Sequence, residues 1–152
     1  MSIKFNSDLI FDIYIKKYLI EDIDFSIKSD IEKYLKKLFK TLNNKYNIAV
    51  EGFYNITVYI DKYYGIVLHL EKEELDYYEY YKNQVDMRLV TVHTDFMYEV
   101  DDIPFDIINK VEISNKDKNI YLTLKEKLTD LEMMKLIENS KIIYIWLFLF
   151  FW

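Results

Sequence analysis

Between residues 54 and 71 the chain alternates with a period of two. Ile56, Val58 and Ile60 are interleaved with Thr57 and Tyr59, and Ile66, Leu68 and Leu70 with Val67, His69 and Glu71. Such a period sends successive side chains to opposite faces of an extended backbone, so these two runs predict paired strands with one face buried. Asp61-Lys-Tyr-Tyr-Gly65 joins them, and its glycine can take the positive φ that a hairpin loop uses. A lone hairpin is marginal in water, so the chain must add strands and lay something apolar on the sheet.

Further strands are read at 8–20, where Leu9, Phe11, Ile13 and Ile15 repeat the period, and at 47–52. Asp86–Val92 with Phe96–Val100, and 109–114 with 118–124 across Asn115-Lys-Asp-Lys118, read as two more hairpins. Two segments switch to helical spacing. Ser29-Asp-Ile-Glu32 matches a capping box and is followed by Ile31, Leu35, Leu38, Phe39 and Leu42, predicting a helix over 30–44. Thr129-Asp-Leu-Glu132 repeats the signature and predicts a helix over 129–139 with Leu131, Met134 and Ile137 inward. The order of elements, with short connections, predicts an α+β fold: a single antiparallel sheet with these two main helices packed on it. One globular domain is expected over 1–147, with an apolar C-terminal tail at 148–152. The expected core is Ile31, Leu35, Leu38, Phe39, Ile56, Val58, Ile66, Leu68, Leu131 and Ile137.

Composition narrows the function classes. A net charge of −6 argues against a general nucleic-acid binder, which needs clustered Lys and Arg to neutralise phosphates. Lys33, Lys36, Lys37 and Lys40 on the first helix read as its solvated face. The chain has no cysteine, hence no disulfide, thiolate nucleophile or thiolate metal site, and it shows no secretory leader, so a cytoplasmic protein is expected. One alanine, one proline, one arginine and two glycines mark an AT-rich, bacterial type of genome, and 15 tyrosines are partly a product of that bias. No phosphate-cradling glycine loop or nucleophile elbow is present, and no cofactor is expected.

Two segments invite recognition. Asp76-Tyr-Tyr-Glu-Tyr-Tyr-Lys-Asn-Gln84 follows an acidic run and reads as a short helix joining two strands, with Tyr78 and Tyr81 toward the sheet. Tyr77 and Tyr80 then face outward beside Glu74 and Glu79, and these four are the expected contacts with another protein: tyrosine gives large contact area and the acids steer a basic partner. The competing reading is a packed turn. Residues 142–152, IIYIWLFLFFW, are eleven uncharged and mostly apolar side chains, short of the roughly 20 that cross a bilayer. Ile142–Leu147 reads as a central strand. For the remainder the readings are a run-on from a shifted reading frame, self-association or partner contact, and peripheral membrane contact.

For chemistry, His69-Leu-Glu71 and His93-Thr-Asp95 each place an imidazole and a carboxylate on one side of a strand, so a metal-dependent hydrolase using His69, Glu71, His93 and Asp95 is the alternative function. A nuclease arrangement of Asp61 and Glu71 fails because residue 73 is Glu where a lysine is needed. The first helix, Ala49-Val-Glu-Gly52, and the strand and hairpin after it are similar to the front domain of MecA-type adaptor proteins, which deliver clients to a bacterial protease. The likeness rests chiefly on Val50-Glu51-Gly52, and no residue roles are carried over from it. The expected function is a non-catalytic protein-binding or regulatory adaptor module.

Overall fold

The structure is a computed structural model and describes residues 1–74 and 85–145. The chain divides into two compact units, Met1–Ile60 with Gly65–Val92, and Asp61–Tyr64 with His93–Trp152.

The first unit holds β1 (Ser2–Phe5), β2 (Ile10–Lys16), α1 (Lys28–Tyr46), β3 (Gly52–Asp61), β4 (Gly65–Glu73) and β5 (Val85–His93). Its sheet is mixed, in the order β1-β2-β4-β3-β5. β2 pairs antiparallel with both β1 and β4, and Ile13 stands opposite Leu68. The alternation now has its cause: Phe11, Ile13, Ile15, Tyr54, Ile56, Val58, Ile66, Leu68 and Leu70 share one face and one core.

Ile31, Leu35, Phe39 and Leu42 of α1 close that core, spaced so that one helical stripe meets the sheet. Each such side chain contributes about 1.5–3 kcal/mol by leaving water. The helix starts earlier than the sequence suggests, with Ile27 as N-cap and no side-chain cap, so the Ser29 capping box does not form. The Asp24 carboxylate explains this, accepting from the backbone N–H and hydroxyl of Ser26 at 2.9 and 2.6 Å and turning the chain into the helix before Ser29. Asn47, left-handed at φ 55°, ends it, and the N–H of Ile48 returns to the Leu42 carbonyl at 3.1 Å. Residues 47–51 are therefore the helix exit and not the strand expected at 47–52.

The second unit holds β6 (Met97–Val100), a 3-10 helix (Phe105–Lys110), β7 (Val111–Lys116), β8 (Asn119–Leu124), α2 (Asp130–Glu138) and β9 (Ser140–Ile143). Its four-stranded sheet runs β7-β8-β6-β9 and is antiparallel throughout. Asp117 and Lys118, both at positive φ, make the two-residue turn whose twist suits the β7–β8 hairpin. Thr129 caps α2 as a capping box: its hydroxyl accepts from the Glu132 N–H at 3.2 Å and its own N–H donates to the Glu132 carboxylate at 2.9 Å.

A single antiparallel sheet with two main helices packed on it is thus the wrong architecture: the described residues are mostly β, in two sheets, with two small α-helices. The division falls where 86–92 and 96–100 were expected to pair. β5 instead lies beside β3 in the first sheet, and β6 lies between β8 and β9 in the second. The reason is burial. Met97, Tyr98 and Val100 are all buried, so β6 is covered on both faces and takes an interior position. Among the described residues β9 stands at the edge of its sheet, where a central strand was expected over Ile142–Leu147; Trp146 and Leu147 lie outside the described residues. Leu131 of α2 is exposed and Ile137 half-buried, the buried side chain of that helix being Leu136. Among the described residues no helix is long and apolar enough to cross a membrane.

Candidate functional site

One face of the first sheet carries a connected set of ionisable groups. Asp12 on β2 and His69 on β4 are register partners. The imidazole Nδ1 lies 2.6 Å from Asp12 Oδ1 and Nε2 lies 3.0 Å from Glu71 Oε1. Asn6 donates to the other oxygen of Asp12 at 3.3 Å. Asp12 is only 4% exposed, an acid set between Phe11 and Ile13. A buried carboxylate needs a charged or hydrogen-bonding partner, and His69 supplies one. Tyr14 and Tyr59 alternate with core residues onto the same face. Burial and the Asp12 charge raise both phenols, with Glu71 adding to the effect on Tyr59.

Burial acts to lower the pKa of His69, but the hydrogen bonds and charges of Asp12 and Glu71 outweigh it, and the net shift is upward. The imidazole is therefore biased toward its cationic form, a clamp between two acids. Both ring nitrogens are engaged, and the two carboxylates lie at opposite sides of the ring, so their oxygens do not converge with a nitrogen lone pair on one point. Among the described residues no three His, Cys, Asp or Glu side chains form a ligand group. His93, the last residue of β5, and Asp95 beyond it are exposed, and neither joins the Asp12–His69–Glu71 set.

Asp61, the acid of the nuclease arrangement, is a structural anchor. One oxygen accepts from the N–H of Tyr63 at 2.9 Å and of Tyr64 at 2.7 Å, and the other from Phe96 N–H at 2.8 Å. The rings of Tyr64 and Phe96 then pack against each other at a tilt of 44°, with centroids 5.6 Å apart. Asp-Lys-Tyr-Tyr-Gly had carried this signal, since Asp at such a position caps the two N–H groups that follow it.

The second unit contains a groove between the 3-10 helix and α2. Pro104 and Ile107 line one wall, Leu131 and Leu136 the other, and its volume is about 320 Å³. Thr129, Asp106, Glu132 and Lys135 complete the lining. Lys110 reaches Glu132 at 2.9 Å and ties the two elements together, while the Thr129 N–H and this lysine hold the Glu132 carboxyl below the usual range. The two elements that wall it also expose large apolar side chains: Phe105 is 86% exposed, Leu131 56% and Met134 45%, with Ile108 at 43%. In a 3-10 helix residues three apart eclipse, so Phe105 and Ile108 share a face. Leu131 and Met134 share a face of α2 in the same way.

Of the residues expected to contact a partner, Glu74 is exposed and Tyr77, Glu79 and Tyr80 lie outside the described residues, as does the apolar segment from Trp146. Sequence reasoning missed the groove because nothing in the alternation around Pro104 or Leu131 tells that these side chains stay uncovered. Comparison with protein-family models, with curated proteins and with solved structures finds no match. The short likeness to MecA-type adaptors thus has no family match beside it.

Proposed function

We propose that this protein is a non-catalytic protein-binding module and that its contact surface is the groove of the second unit. The observation that carries the reading is the groove walled by Pro104, Ile107, Leu131 and Leu136, whose Leu131 is 56% exposed, with Phe105, the chain neighbour of Pro104, 86% exposed. Contiguous exposed apolar surface beside a concavity is a common mark of a protein contact, where an aromatic or aliphatic anchor fills the pocket. The segment holding Tyr77 and Tyr80, with Glu74 and Glu79, belongs to the same proposal as a second contact, through its composition. A cysteine-free chain suits the cytoplasm.

The metal-dependent hydrolase reading has less support, since His69 could ligate only by giving up Asp12 or Glu71. The test is affinity capture from native extract with wild type, Leu131→Glu, and a Tyr77→Ala, Tyr80→Ala variant, each first shown to melt as the wild type does. A captured protein, identified by mass and then reconstituted in purified form, is expected to lose affinity by about 2 kcal/mol or more in Leu131→Glu. Reconstituted binding that ignores Leu131 would move the contact elsewhere.

A further inference from the structure

A neutral imidazole carries one N–H and an imidazolium two, while an ionised carboxylate only accepts. The Asp12–His69–Glu71 set uses both ring nitrogens, Nδ1 toward Asp12 at 2.6 Å and Nε2 toward Glu71 at 3.0 Å, so it is complete only while His69 is a cation. Its two arms are built differently. Asp12 is buried on β2 between the core residues Phe11 and Ile13, and the β2–β4 register fixes it opposite His69. Glu71 lies two residues along β4 with its side chain 53% exposed, where water can take the place of the ring. The other ionisable groups near the set are Tyr14 on β2 and Tyr59 on β3, whose raised phenols stay uncharged while His69 titrates, and Lys4, which stands opposite Asp12 in the β1–β2 register.

We infer that His69 is a proton-operated latch with unequal arms: as a cation it joins Asp12 to Glu71, and on losing a proton it keeps Asp12 and lets Glu71 go. The proton leaves from Nε2. Taking it from Nδ1 would set a ring lone pair against a buried carboxylate, whereas taking it from Nε2 leaves an exposed carboxylate that turns to water. The product is an imidazole held by Asp12 in its Nδ1–H tautomer, with the Nε2 lone pair and the Glu71 carboxylate both free to accept from a donor outside. The face becomes more negative by the one charge lost. Burial disfavours the cation and the two acids favour it, with the net effect that release comes above the ordinary imidazole value of about 6.5. The latch thus sets the charge of one sheet face by pH, and it is independent of the groove in the second unit.

Nitrogen-15 spectra of the histidine rings in the full chain, recorded from about pH 5.5 to about 9, test this, with exposed His93 as the reference signal. His69 is expected to show two protonated nitrogens at the acid end and only Nδ1–H at the alkaline end. Glu71→Gln should lower the midpoint of that change by about 0.5 in pH, as loss of an exposed pair does, and leave the alkaline tautomer as it was. Asp12→Asn should lower the midpoint further, and if that variant does not fold, Glu71→Gln decides alone. An alkaline Nε2–H tautomer would make Asp12 the arm released and overturns the inference. So does a midpoint that Glu71→Gln leaves in place, or a His69 ring whose protonation does not change across the range.

Discussion

His69 sits between Asp12 and Glu71, and its upward shift has a definite consequence for stability against pH. A group protonated more readily in the folded than in the unfolded chain stabilises the fold fully below its unfolded value, about 6.5. That contribution is lost as pH rises through the higher folded value. Melting temperature is therefore expected to fall from pH 6 toward alkaline pH in wild type, and the part of the slope owed to His69 should vanish in His69→Gln. An identical slope in that variant would mean that the clamp is not felt. Tyr98 is fully buried and its hydroxyl has no hydrogen-bond partner among the described residues. An unpaired buried hydroxyl costs about 1–3 kcal/mol, so Tyr98→Phe should raise stability in denaturant titration by about 1 kcal/mol. Asp61→Ala should do the reverse, losing about 3 kcal/mol or more, because three backbone N–H groups lose their acceptor.

Gly65 and Thr129 show how single positions govern whole elements. Gly65 has φ 130°, and a Cβ there would stand 2.6 Å from the backbone nitrogen of Lys17. The register pairs Lys16 with Gly65, so Gly65→Ala is expected to push β2 from β4, with faster hydrogen exchange across both strands. Thr129→Ala removes one half of the capping box and should cost about 1 kcal/mol in unfolding free energy. Elements of this kind were legible in the sequence. The hairpin at 52–73, α1, the β7–β8 hairpin and α2 all follow from period and turn chemistry. Pairing was not legible, because alternation tells a strand which face to bury and not which neighbour to choose. Hence Asp86–Val92 and Phe96–Val100 look like partners in sequence and lie in different sheets. The His69–Glu71 pairing follows from their spacing, whereas the Asp12 contact needed the β2–β4 register.

At the scale of the molecule, the two units differ in how they use their surfaces. The first lays α1 over one face of its sheet and fills the other with half-buried tyrosines and paired ions. The second leaves Phe105, Ile108, Leu131 and Met134 exposed on its 3-10 helix and α2, the two elements that wall its groove. A surface of that kind is either occupied in the working protein or a liability to solubility. The direct test is to place a benzophenone amino acid at position 134, on the exposed face of α2, and to irradiate the protein in its native cells. The account predicts a covalent adduct with a protein chain, either a second copy or another partner, that disappears when Leu131 is also changed to Glu. A folded protein that gives no protein adduct, or one indifferent to Leu131, would contradict it.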